Sequence, residues 1–110
     1  MNHIAIMKKS WGLIPKIISG EKTIESRWYK NKIAPWDRIH EGDTVYFKDS
    51  GEPVSAVSTV SKVLQFDNLD VKQFSDIMAK YADDICLKTR EYNEYYQSKN
   101  YCILIFLTKP

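Results

Sequence analysis

Within residues 19–30, "SGEKTIESRWYK", stand Gly20, Lys22, Glu25 and Arg27, with Trp28 and Tyr29 directly after them. Lysine and arginine suit phosphate oxygens: arginine can give two parallel hydrogen bonds, lysine a compact point charge. A glutamate between them can orient the arginine, accept from a base amine or ribose hydroxyl, or serve as an acid or base. Lys22 and Glu25 are therefore the candidate catalytic pair if the chain is an enzyme. Lys22 works as a base only if burial or Arg27 lowers its proton affinity. If it is a binding module, Lys22, Glu25, Arg27, Tyr29, Lys30 and Trp36 form the ligand or RNA contact. Tyr29 and Trp36 offer rings for stacking, worth roughly 1–3 kcal/mol per base. Lys30, Lys32 and Arg38 add charges for nonspecific phosphate contact.

These residues need a frame. Over residues 22–29, strand alternation puts Ile24 and Trp28 on one face and Thr23, Glu25, Arg27 and Tyr29 on the other, so Trp28 reads as core. Upstream, "HIAIM" alternates as a short strand, and Leu13, Ile14, Ile17 and Ile18 form a helical stripe starting near Ile14 or Pro15. Gly20 is the natural stop for that helix, and Trp11 reads as packing at its entrance. Downstream, "KNKIAPWDRIHEGD" is a loop by composition, which would lay Trp36 over the cleft. "DTVYF" is a strand, Gly51 centres a turn, and "PVSAVSTVSKVLQF" is one long strand or two joined at a bulge. Asp70 and Gln73 start a helix with the stripe Phe74, Ile77, Met78, Tyr81, Ala82 and Ile85, ending near Asp84. A shorter helix is expected over residues 90–98, capped by Thr89, with Tyr92, Tyr95 and Tyr96 on one side. "YCILIFLT" is apolar on both faces and so a central strand.

The whole chain bounds the answer. Its 110 residues fit a single domain, 1–110, because two halves would each bury too little apolar surface. The apolar run over residues 102–107 is far shorter than a membrane span, and the N-terminus lacks the pattern of a secretory signal, so a cytoplasmic location and no membrane partner are expected. Cys86 and Cys102 read as two reduced thiols. With His3 and His40 they have no metal-ligand spacing, so no metal and no cofactor is expected. A net charge of +2 selects no partner. The lysines and arginines nonetheless gather in the first part of the chain, and Asp67, Asp70, Asp76, Asp83 and Asp84 make a later segment acidic.

Gly20, Lys22, Glu25 and Arg27 match Gly-x-Lys-x-x-Glu-x-Arg, and in this the sequence resembles the ASCH domains of the PUA-like superfamily. The order of elements is similar over essentially the whole chain. The resemblance implies an α+β fold, a PUA-like small β-barrel of about five or six strands with flanking helices, and a cleft at the motif for RNA, single-stranded or structured, or for a nucleoside or nucleotide. It also implies an alternative. Some ASCH proteins are similar to amidohydrolases that remove an acyl group from a modified cytidine with a lysine, a threonine and a glutamate, and others are linked to RNA cleavage. Lys22 matches that lysine, but the threonine position holds Glu25, and Thr23 is displaced by two. A third carboxylate would come from Glu91 or Glu94. A third reading is a protein-interaction module, for which the sequence names no partner.

Overall fold

The computed structural model describes residues 1–86 and 99–108. The expected helix over residues 90–98, with Thr89, Tyr92, Tyr95, Tyr96, Glu91 and Glu94, lies outside the described residues.

The described residues form five strands and two helices: β1 (Asn2–Met7), α1 (Leu13–Ser19), β2 (Ile24–Tyr29), β3 (Thr44–Asp49), β4 (Val54–Phe66), α2 (Val71–Ile85) and β5 (Tyr101–Leu107). A single 3₁₀ turn, Lys9–Trp11, precedes α1. The strands form one curled, half-closed sheet in the order β1-β3-β4-β5-β2, with β1 parallel to β3 and the other pairs antiparallel. This is the expected α+β small barrel, left open between its two edge strands, β1 and β2.

Alternation on β5, an interior strand, explains how the sheet is covered on both sides. From β5, Ile103 and Ile105 enter one core with α1's Leu13, Ile14 and Ile17 and with Phe47 and Val60. Cys102 and Leu104 enter a second core with Ile24, Trp28 and α2's Phe74, Ile77, Met78 and Ile85. Trp28 packs on Phe74 at 5.5 Å between ring centroids. The 13-residue β4 serves both halves of the sheet, and its register with β5 shifts between Val60 and Lys62, the bulge that bends it. In β1 the pattern runs opposite to what two isoleucines suggest. Ala5 and Met7 face the core, and Ile4 and Ile6 face outward.

Local chemistry sets the helix limits. Asp70 accepts from the Gln73 amide at 2.7 Å and starts α2 as expected. Gly20 closes α1 at φ 84°, a left-handed conformation that favours glycine. At the base of the barrel, buried Asp43 accepts from the His40 amide and the N-terminal amine and bonds the His3 ring. These bonds tie the ends of β1 and the long loop to the start of β3. They also hold the Asp43 carboxyl well below the usual carboxylate range, the His3 bond first and the His40 amide next.

Candidate functional site

The two edge strands face each other across the open side of the barrel, and β2 carries the motif into that gap. In an antiparallel ladder, alternate residues turn their backbone groups toward and away from the partner. Thr23 O accepts from Leu107 on the β5 side, so Ile24, Ser26 and Trp28 turn their backbone groups toward the gap. Among the described residues, no strand pairs there. Two motif side chains supply what a neighbouring strand would. Lys22 Nζ donates to Ile24 O at 2.8 Å, and Glu25 Oε1 accepts from Ser26 N at 3.0 Å.

Lys22 is 2% exposed and Glu25 3%. Besides Ile24 O, Lys22 Nζ donates to Ile85 O at 2.6 Å and lies 3.5 Å from Glu25 Oε1. Ile85 ends α2, so the ammonium meets the negative end of the helix dipole. An adjacent bond, Thr23 N to Asp84 O at 2.9 Å, fixes the same junction. Burial pushes the Lys22 ammonium below the ordinary lysine value, and Glu25 opposes that fall. An ammonium has three donors. Here three protein acceptors surround it.

Arg27 is the open member of the set, its side chain 26% exposed. Nη2 donates to Glu25 Oε2 at 3.1 Å and reaches across the gap to Ile6 O at 3.5 Å and Met7 Sδ at 3.6 Å. Glu25 thus receives Lys22 on one oxygen and Arg27 on the other, an ion-pair chain running from the buried helix end to the rim.

Over this chain lies a recess of about 280 Å³ whose walls include Lys22, Glu25, Arg27 and Tyr29 from the motif strand and Ile6, Met7, Lys8 and Trp11 from across the gap. Its volume is at the low end for small-molecule sites, which start near roughly 300 Å³. It is half open, with Lys8 exposed at its edge and close over the Trp11 ring (5.5 Å).

Among the sequence candidates, Lys22, Glu25, Arg27 and Tyr29 therefore share one recess, and Lys30 and Trp36 do not line it. Lys30 is exposed, and its carbonyl accepts from Asn100 Nδ2. Trp36 does not cover the motif. It is half-buried against Tyr101, edge-on at 5.2 Å, because the reciprocal bonds between neighbouring Asp37 and Gln65 of β4 hold this part of the loop beside that ring. Trp11 does both things open to it from the sequence, packing at the entrance to α1 and bordering the recess. Ile6, Met7 and Lys8 were not among the candidates. They lie some twenty residues from Arg27, and only the pairing order that leaves β1 and β2 as facing edges brings them near.

Among the described residues, no three His, Cys, Asp or Glu side chains gather as metal ligands would, and no helix is long and apolar enough to cross a membrane. Cys86 and Cys102 are free thiols.

A curled five-strand sheet with one helix in its mouth and one on its outer face defines a class of small α+β half-barrels, and comparison with solved structures narrows it. The chain is similar to the ASCH protein from Zymomonas mobilis (15% identity, 96% of this chain and 66% of that one, TM-score 0.69) and to a single-substitution mutant of it (15%, 96% and 68%, TM-score 0.69). It is also similar to a hypothetical protein, PH0355 (19%, 97% of both chains, TM-score 0.65). This chain spans about two thirds of the Zymomonas protein. No family model and no curated protein matches the sequence. The chain has an ASCH-like fold.

Proposed function

We propose that this chain is an RNA- or nucleotide-binding domain whose ligand enters the gap between β1 and β2, its phosphate meeting Arg27 and Lys8 and a base lying against Tyr29 or Trp11. The observation that carries the reading is Arg27. Its guanidinium is oriented by Glu25 on one side and the β1 edge on the other, yet remains partly open at the rim of a recess with aromatic walls. A fixed guanidinium loses less freedom on binding than a loose one. Lys22 takes a different part: it holds Glu25 and the β2 edge, and through them Arg27.

The hydrolase reading needs Lys22 or Glu25 free to move a proton. The contacts around Lys22 Nζ support the binding role over that one, because the ammonium already donates to two carbonyls and faces a carboxylate.

Titrating a short single-stranded RNA at low salt tests the proposal. Binding should weaken as salt rises, with a log–log slope of about −0.7 per phosphate contacted. Arg27→Ala should cost roughly tenfold or more, as loss of a charged hydrogen bond does, in protein that stays folded. No binding at low salt, or equal binding by Arg27→Ala, overturns it. Turnover of an acylated cytidine that both Lys22→Gln and Glu25→Gln abolish would move the assignment to the hydrolase.

A further inference from the structure

The ring that sequence placed over the cleft occupies a second position on the same face of the sheet. Tyr29 of β2 and Tyr101 of β5 are register partners, and partners in an antiparallel pair lie on one face with Cβ atoms about 5 Å apart. Trp36 meets Tyr101 with ring centroids 5.2 Å apart. A row of rings, Tyr29, Tyr101 and Trp36, thus leaves the motif recess and crosses onto the loop. Lys32 stands over it, its Nζ 5.8 Å from both the Trp36 and Tyr101 centroids. The loop is pinned at two points: Asn100 binds Lys30 O through its side chain and Tyr29 O through its amide, and Gln65 clasps Asp37.

We infer that Trp36 and Lys32 form a second nucleotide subsite, so that the ligand is a single-stranded RNA segment and not a free mononucleotide. The inference rests on the proposal that the recess holds the first nucleotide. One base occupies the recess beside Arg27. The next lies on the Tyr101–Trp36 surface, and Lys32 swings from the rings onto the linking phosphate. Interleaved rings and cations are how single strands are held without sequence readout, since each base offers a ring face and each step a phosphate. Beyond Trp36 the surface changes, for the next hollow is lined by Asp37, Glu41 and Lys62 and by no Trp, Tyr or Phe ring. The row therefore ends after a few nucleotides.

The experiment compares uridine monophosphate with tetrauridylate on the intact chain, by calorimetry at low salt. Wild type should bind the tetranucleotide at least tenfold more tightly. Trp36→Ala should erase most of that gain, roughly 5-fold or more, and leave the mononucleotide unchanged. Exposed Lys32, replaced by alanine without disturbing the core, should lower the tetranucleotide salt slope by about 0.7, and this variant keeps the test if Trp36→Ala fails to fold. If the mononucleotide binds through Arg27 but the tetranucleotide gains nothing, or if Lys32→Ala leaves the slope intact, the second subsite is wrong and the recess assignment stands. If neither probe binds wild type, both fall.

Discussion

Lys22 Nζ donates to the carbonyl of Ile85 at 2.6 Å, joining the start of the motif strand to the end of α2. The same nitrogen satisfies Ile24 O on the unpaired edge of β2 and faces Glu25. A charge in the middle of a fold is tolerable when its donors are all engaged. Removing it exposes what it balanced.

Lys22→Met should therefore be a stability variant first. It deprives two buried carbonyls of a donor and leaves Glu25 with Arg27 as its one cation among the described residues, a change that costs about 3 kcal/mol when one partner of a buried pair is lost. Urea unfolding measures this. A loss below about 0.5 kcal/mol would mean that the Lys22 contacts do not hold β2 to α2.

Acid should loosen the base of the barrel through Asp43. The His3 ring, the His40 amide and the N-terminal amine depress its carboxyl in the fold. The stabilisation is therefore complete above the unfolded carboxylate value, near pH 4, and fades as pH falls from there toward the lower folded value. Asp43→Asn should lower stability at pH 7 and flatten its dependence on pH below about 4, read from thermal melts across pH. An unchanged acid limb would contradict this.

The two thiols should differ in accessibility to chemistry while the protein is folded, since Cys102 is buried and Cys86 is partly exposed. Burial raises the pKa of both, Cys102 within β5 and Cys86 at the C-terminal cap of α2. A thiol reagent at pH 8 should leave Cys102 unmodified until the protein unfolds, because its side chain is buried under α2 with no exposure. Rapid native labelling of Cys102 would mean that β5 opens.

The strands and helices were legible where one side-chain period dominates. The stripe from Phe74 to Ile85 is such a case, β5 was legible instead as a run apolar on both faces, and Gly20 and Asp70 announced helix limits, one by its left-handed backbone and the other by its capping side chain. The phase of β1 was not, because Ile4 and Ile6 outweigh Ala5 and Met7 in any hydrophobic pattern, whereas pairing with β3 turns the smaller pair inward. The motif residues were readable as a charged set on one strand. Their division of labour was not: burial of Lys22 against Ile85 joins residues 63 apart. The opposite wall, Ile6, Met7 and Lys8, comes from a facing edge that no local spacing reveals.

The recess should hold its ligand against Arg27. In NMR spectra of labelled protein titrated with uridine monophosphate, the largest shifts should fall on the Arg27 guanidinium and on the amides of Met7, Lys8 and Tyr29, along both edges of the gap. Shifts concentrated elsewhere, with the Arg27 side chain unmoved at saturation, would contradict it.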